Sequence, residues 1–115
     1  MKIGLIMLGV TNMNRSVEFY RDRLGLEVAM QSPEFTFLNA GGVTLALSTA
    51  ITQVLGTSPG AVEVDFSVDH VKESYETLRN KGVEFRVQPR VVTGATWSAN
   101  FADPDGHMLS IYGPE

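Results

Sequence analysis

Apolar and polar residues follow two different periods along this chain, and each period predicts a different element. Between residues 62 and 68 the apolar side chains Val62, Val64, Phe66 and Val68 alternate strictly with polar ones, which predicts a half-buried strand. Between Arg15 and Leu24 the apolar side chains recur at helical spacing instead, which predicts an amphipathic helix.

The same criteria divide the rest of the chain into short strands and two helices. Asn12 and Asn14 offer N-cap oxygens for the first helix, which Gly25 ends. Asp69 is the predicted cap of a second helix that runs to about Lys81 and ends at Gly82. The predicted strands are Lys2–Val10, Leu26–Gln31, Glu34–Ala40, Val43–Thr49, Val62–Val68, Val83–Gln88, about Thr93–Ala102, and Met108–Tyr112.

Two turn-forming stretches organise these elements. Residues Ala50 to Gly60 are predicted to be a loop, because Gly56, Ser58, Pro59 and Gly60 cluster at its end. Asp103-Pro104-Asp105-Gly106 is predicted to form a tight hairpin turn, in which proline presets φ and glycine accepts a positive φ.

The chain repeats itself once. Residues Val10 to Val28 can be aligned with Val68 to Phe85 at an offset close to 58 positions, and the first identical pairs are Val10 with Val68, Ser16 with Ser74, Glu18 with Glu76 and Arg21 with Arg79. Both copies belong to a β-α-β-β-β order of elements. The sequence therefore predicts an α+β fold of two tandem βαβββ modules, one at about 1–50 and one at about 60–115, each a mostly antiparallel sheet with one helix on one face.

Composition excludes several classes of function. The 115 residues suit one compact domain. A formal net charge of −4, without a cluster of Lys and Arg on any one element, argues against a nucleic-acid partner. The sequence shows neither an apolar run long enough to span a bilayer nor a signal pattern, so a cytoplasmic protein without a membrane partner is expected. The absence of cysteine excludes thiolate metal sites and cysteine nucleophiles.

Three segments together resemble the vicinal oxygen chelate superfamily, also called the glyoxalase/bleomycin resistance/dioxygenase family. They are VTNMNRSVEFYRDRLGLEV near the start, VDHVKESYETLRNKGV in the repeat and FADPDGHMLSIYGP at the end. The resemblance covers nearly the whole chain and implies one domain of paired βαβββ modules whose sheets curl into a cup. It also implies a homodimer, because many single-domain members have clefts lined by both chains.

The resemblance further implies where a divalent metal would be held in this chain. Metal-dependent members take ligands from the first and last strands of each module, and the matching positions are Leu5, Ala46, Glu63 and Ser110. Leucine and alanine cannot bind a metal ion, and serine is a poor ligand for one. We therefore expect no metal and no other cofactor.

Strand parity indicates which other side chains share the cup with these positions, since residues two apart lie on one face of a strand. The side chains on the opposite faces are predicted to pack against the helices as core: Ile6, Leu8, Val43, Leu45, Leu47, Val62, Val64, Phe66, Leu109 and Ile111. Aromatic and methionine surfaces beside carboxylates suit an aromatic or cationic organic molecule, which metal-free relatives that sequester antibiotics also bind. Strand parity alone does not decide on which face of the sheet the Trp97 side chain lies. The predicted ligand-binding residues are Met7, Ser48, Glu63, Asp65, Trp97, Ser110 and Tyr112.

Two other functions stay open at this point. Glu63 in a partly apolar cup could have a raised pKa and act as the general base of a lyase, isomerase or dioxygenase-like enzyme, or hold a weakly bound divalent metal. Alternatively, the cup docks a protein partner, and Glu63 and Asp65 are solvated residues of an open sheet.

Overall fold

The computed structural model describes residues 1–56 and 62–115. It divides the chain into two compact units, residues 1–58 and residues 59–115. Each described unit contains a mixed four-stranded sheet with helices, so the predicted α+β class is confirmed. Of the helices in the described residues, none combines the length and the apolar character needed to cross a bilayer.

The sheet of the first unit has the order β1-β4-β3-β2. Strand β1 runs parallel to β4, and the other neighbours are antiparallel. The elements are β1 (Ile6–Gly9), α1 (Met13–Val17) with a π-helical continuation (Glu18–Arg23), β2 (Glu27–Gln31), β3 (Phe35–Asn39), β4 (Thr44–Ser48) and α2 (Thr49–Leu55).

The second unit repeats this topology in its own sheet, of order β5-β8-β7-β6. Here β5 runs parallel to β8, and the remaining pairs are antiparallel. The elements are β5 (Glu63–Ser67), α3 (Val71–Asn80), β6 (Phe85–Thr93), β7 (Thr96–Ala102) and β8 (Met108–Gly113). The predicted β-α-β-β-β order is thus present in each unit.

The first helix starts two residues earlier than predicted and widens in its second half. Asn12 is the N-cap, and its Oδ1 accepts a hydrogen bond from the Arg15 backbone N–H at 3.0 Å. The Leu24 N–H bonds to the carbonyl of Phe19, five residues back, as a π-helix requires. Both neighbouring rings, Phe19 and Tyr20, are buried and meet edge to face at 5.1 Å. The predicted apolar stripe of this helix consists of Val17, Tyr20 and Leu24 and does not include Phe19. A regular 3.6-residue period does not place two successive rings inward.

Helix α2 corrects the predicted loop at residues 50–60. Ser48 is its N-cap, and the hydroxyl accepts a hydrogen bond from the Ile51 N–H at 3.0 Å. The Thr52 hydroxyl donates to the Val10 carbonyl at 2.9 Å, which ties α2 to the end of β1. This tertiary contact supports a helix whose β-branched sequence has a low helical propensity by itself. The end of the predicted loop, residues 57–60, lies outside the described residues.

Helix α3 begins at Val71, and the prediction that Asp69 caps it is wrong. His70 is the N-cap, and its side chain makes no capping bond within the described residues. The Val71 N–H instead bonds to the Pro114 carbonyl at 2.8 Å, and the Lys72 N–H to the Glu115 carbonyl at 3.0 Å. Backbone carbonyls distant in sequence therefore satisfy amides that a side chain usually satisfies.

The predicted core is confirmed at the strand centres and wrong at the strand ends. Leu8, Leu45, Leu47, Leu109 and Ile111 are buried as predicted. Ile6, Val43 and Val62 were predicted to be core, but they are exposed to 36%, 43% and 72%. Ile6 opens the edge strand β1, whereas Val43 and Val62 precede the first residues of β4 and β5. The predicted first strand is likewise too long, because the ladder begins only at Ile6.

The predicted hairpin turn between β7 and β8 is confirmed. Asp103 Oδ1 accepts hydrogen bonds from the N–H groups of Asp105 at 3.0 Å and His107 at 2.8 Å. Gly106 has the positive φ, +88°, that the turn needs. This turn fixes the register of β7 and β8, two of the four strands that carry the candidate site.

Candidate functional site

The second sheet presents one face to helix α3 and carries polar side chains on the other. Asp65 on β5 lies opposite Ser110 on β8, and Ser110 lies opposite Asn100 on β7. Directly opposed residues share a face, and so do residues two apart in a strand. We call the polar face the surface formed by Glu63, Asp65, Arg90, Asn100 and Ser110.

Hydrogen bonds connect these five side chains into two short series. Arg90 Nη1 donates to Asn100 Oδ1 at 2.9 Å, and Asn100 Nδ2 donates to Glu63 Oε2 at 2.9 Å. Ser110 Oγ donates to Asp65 Oδ1 at 2.6 Å. One oxygen of each carboxyl group thus accepts a hydrogen bond from an uncharged side chain, Asn100 for Glu63 and Ser110 for Asp65.

The pKa of Glu63 is raised above its usual value. The largest cause is hydrogen bonding with the Asp65 carboxyl group, which favours the protonated form of Glu63. Partial burial of Glu63 and the negative charge of Asp65 raise the pKa further. The Ser110 hydroxyl and the positive charge of Arg90 act in the opposite direction.

The carboxyl groups lie over buried polar residues. Ser110 is 1% exposed and Asn100 is 6% exposed, whereas Glu63 and Asp65 are exposed. Tyr112, two residues beyond Ser110 on the same strand, is 42% exposed. The arrangement offers acceptor oxygens and an aromatic surface to a ligand, with a buried polar base that holds the acceptors in place.

The residues present do not fit the metal site of metal-dependent relatives. Glu63 is the one carboxylate among the four matching positions, and the Ser110 hydroxyl already donates to Asp65. Leu5 and Ala46, in the first unit, have no donor atoms in their side chains. Within residues 1–56 and 62–115 no group of three or more His, Cys, Asp or Glu side chains could hold a metal ion.

The remaining predicted site residues lie elsewhere. Trp97 alternates with Ser98 on β7 and shares the parity of the buried Phe101, so it faces the helix side. There the Lys72 ammonium lies 4.6 Å from the centroid of the indole ring. The structure therefore does not bring Trp97 together with the carboxyl pair.

Met7 and Ser48 belong to the first unit. Ser48 is buried and its hydroxyl caps α2, which gives it a structural role. Met7 is half-buried and lies opposite Ala46, which in turn lies opposite Phe37. Phe35 lies opposite Ser48 on the same side. This surface is apolar, in contrast to the polar face of the second unit.

Sequence reasoning missed Arg90 and Asn100. Asn100 could have been found, because the predicted turn at residues 103–106 sets the register and places it opposite Ser110. Arg90 could not be found in this way. The pairing of β6 with β7 shifts register three times, so alternation along β6 does not indicate which side chains share the polar face.

A separate groove lies in the first unit. Its volume is about 510 Å³, and its lining offers amide, hydroxyl and apolar groups from Asn12, Met13, Asn14, Gln31, Ser32 and Pro33. None of the predicted ligand-binding residues lies among these six.

Comparison with known proteins identifies the family. The model of the Glyoxalase/Bleomycin resistance protein/Dioxygenase superfamily matches residues 2–111. The YraH protein of Bacillus subtilis (strain 168) is 30% identical over 127 residues, which cover 97% of this chain and 98% of that protein. The metallothiol transferase FosB of Staphylococcus epidermidis is 39% identical over 119 residues, which cover 96% of this chain and 81% of that protein.

Solved structures share the fold. A glyoxalase-related enzyme from Fulvimarina pelagi is 23% identical with a TM-score of 0.83, covering 97% of this chain and 87% of the other. TnmS3, an antibiotic binding protein from Streptomyces sp. CB03234, is 20% identical with a TM-score of 0.81, covering 100% of this chain and 97% of the other. The sequence match and the shared fold agree: this chain belongs to the glyoxalase/bleomycin resistance protein/dioxygenase superfamily.

Proposed function

We propose that this protein binds a small organic molecule, aromatic or cationic, at the polar face and does so without a metal ion. The observation that carries the proposal is the Glu63–Asp65 carboxyl pair, which lies over buried polar residues. Its acceptor oxygens suit a ligand with N–H or O–H donors or a positive charge. Tyr112 adds a partly exposed ring against which a flat group can stack.

Two further observations support a binding function. At the positions that match the metal ligands of relatives, the chain has Leu5 and Ala46 instead of donors, so binding energy must come from carboxyl, hydroxyl and aromatic groups. The antibiotic binding protein TnmS3 has the same fold, which supports sequestration of an antibiotic-like compound as the role of such a site.

Fluorescence titration with acridine orange, a flat aromatic cation, tests this proposal, with 9-anthracenecarboxylate as an anion of similar shape. We expect saturable binding of the cation and much weaker binding of the anion. Glu63→Gln should weaken cation binding about tenfold, since a hydrogen bond to a charged group contributes about 1.5 kcal/mol. Asp69→Asn removes an exposed carboxylate of the same unit outside the sheet and should leave the affinity unchanged. Equal affinity of wild type and Glu63→Gln would exclude the polar face as the binding site.

An enzymatic function is the second candidate, and the raised pKa of Glu63 favours it specifically. A carboxyl group with a raised pKa keeps its proton to a higher pH than an ordinary glutamate, so it can donate that proton to a substrate oxygen and take it back. The relative named metallothiol transferase shows that the superfamily includes enzymes similar to this chain. If the protein turns over a dicarbonyl substrate and Glu63→Gln abolishes that turnover, the result would favour the enzymatic function over the binding function.

We also propose that the protein forms a homodimer. Strands β1 and β5 each lie at the edge of their own sheet, and exposed apolar side chains lie at or just before them, including Leu5, Ile6 and Val62. Edge strands with such residues favour pairing with another chain. Sedimentation equilibrium should give twice the mass of the chain. A monomer at micromolar concentration that binds no ligand would instead favour a module that docks a different protein.

A further inference from the structure

Arg90 does not pair with either carboxylate of the polar face, although it is a cation within reach of their network. Its Nη1 donates to the Oδ1 atom of Asn100 at 2.9 Å, and Asn100 in turn donates to Glu63. An arginine side chain has five N–H donors and no acceptor, so Arg90 can bond only to the oxygen of the Asn100 amide. The guanidinium therefore contacts the amide that holds the carboxyl group.

An asparagine amide can be turned by 180° with almost no change in shape, and the two orientations have opposite consequences at this site. With Nδ2 toward Glu63, the amide donates a hydrogen bond to Oε2. With Oδ1 toward Glu63, two acceptor oxygens would face each other unless Glu63 turned its proton away from Asp65. Asn100 is 6% exposed, so water does not easily compensate for the wrong orientation.

We propose that Arg90 is the positioning residue of the polar face: it fixes the orientation of the Asn100 amide and thereby assigns Glu63 Oε2 as an acceptor. The significance of this role for ligand binding rests on the function proposed above, but the hydrogen-bond geometry does not. Arg90 touches no ligand in this account and acts through Asn100.

Arg90 also contributes to the charge of the polar face. When both carboxyl groups are ionised, the charges of Glu63 and Asp65 are balanced by those of Arg86 and Arg90. The titratable and charged groups identified on or beside this face are Glu63 and Asp65 on β5, Arg86 and Arg90 on β6, and Tyr112 on β8.

Arg86 is the matched control. It lies on the same strand, has the same charge and reaches the same side of the sheet, where its Nη1 lies 3.7 Å from the Met108 sulfur. It makes none of the hydrogen bonds described above for the carboxyl pair and Asn100. Arg86 and Arg90 are both exposed, so methionine at either position retains the aliphatic length without opening a cavity.

NMR spectroscopy of the ligand-free full chain provides the test. In the wild type, a guanidinium N–H of Arg90 should exchange slowly with water, while those of Arg86 should exchange quickly. In Arg90→Met, the Asn100 side-chain amide signals should move toward those of a free amide, and the carboxyl ¹³C titration of Glu63 should shift to higher pH. Arg86→Met should change neither signal, and Arg90→Lys should restore both, because lysine keeps a donor and the charge.

Two results would overturn the positioning role. One is fast exchange of all guanidinium protons together with an unchanged Asn100 amide in Arg90→Met. The other is an equal shift of the Glu63 titration in Arg86→Met and Arg90→Met, which would show that only net charge matters. Neither readout uses a ligand. If acridine orange fails to bind but the NMR signals behave as expected, the proposed function fails and the positioning role stands.

Discussion

At the scale of single residues, the carboxyl pair Glu63 and Asp65 determines what the polar face can do. Two acids two residues apart on a strand usually repel each other and remain solvated. Here Asn100 donates a hydrogen bond to Glu63 and Ser110 donates one to Asp65, and the neighbouring Asp65 raises the pKa of Glu63. One group of side chains therefore supplies both a proton donor and acceptor oxygens.

The raised pKa of Glu63 predicts how stability depends on pH. Between the usual glutamate pKa, about 4.3, and the raised value in the folded chain, the native state binds more protons than the unfolded state. The contribution of Glu63 is therefore fully present at pH below 4.3 and is lost as pH rises through the folded-state pKa. Urea denaturation of wild type and Glu63→Gln from pH 4 to 8 measures this difference.

We expect the free energy of unfolding of wild type to fall with pH relative to that of Glu63→Gln. The Asp69→Asn variant should keep the wild-type slope, since its side chain lies outside the sheet. Parallel pH profiles for wild type and Glu63→Gln would mean that folding does not raise the pKa of Glu63.

At the scale of elements, helix α2 is the largest difference from the sequence-based prediction. The stretch TAITQVL is only seven residues long and four of them are β-branched, so local propensity does not favour a helix. What stabilises it is the cap by Ser48 and the bond from Thr52 to Val10, which is 42 residues away. A contact of that range cannot be predicted from a local pattern.

Replacement of the Ser48 cap should lower the free energy of unfolding. Ser48→Ala leaves the Ile51 N–H without its side-chain acceptor, and loss of an N-cap typically costs about 1 kcal/mol in the free energy of unfolding. Ser67→Ala removes an exposed hydroxyl from β5 and should cost less than about 0.5 kcal/mol. Chemical denaturation measures both. A Ser48→Ala variant as stable as wild type would exclude the hydroxyl as the main support of α2.

The end of β8 needs glycine. Gly113 has a φ of +153°, and a Cβ there would overlap the Val68 carbonyl oxygen. Gly113→Ala should therefore destabilise the chain by about 2–3 kcal/mol, because backbone atoms cannot move aside cheaply. Gly4→Ala, at a position with open space, should stay within about 0.5 kcal/mol of wild type. Thermal or urea denaturation compares the two, and equal stability would contradict this close approach.

At the scale of the whole chain, the internal repeat predicted the fold well and the chemistry poorly. Hydrophobic periodicity and glycine stops are local features, so they predicted the element order in both units. The site depends on register across β5, β8, β7 and β6. Turn chemistry at residues 103–106 fixes one of these registers, whereas the bulges of β6 cannot be read from alternation. Glu63, Asp65 and Ser110 were thus predicted together, and Arg90 and Asn100 were not.

The repeat also shows how the two units diverged. The apolar side chains Met7, Ala46 and Phe37 lie on the first sheet where the second has Asp65, Ser110 and Asn100. The superfamily scaffold is common to both units, and the chemically active groups are concentrated in one. A ligand bound at the polar face would be recognised by charge and hydrogen bonding rather than by a shared metal.

The most direct test of that claim is the metal dependence of binding. Protein purified without chelator is analysed for Zn, Ni, Mn and Fe, and acridine orange affinity is measured after chelator treatment and after addition of each ion. The account predicts less than 0.1 equivalent of metal and the same affinity under all conditions. Stoichiometric metal that is lost in Glu63→Gln, or binding that appears only when a divalent ion is added, would contradict it.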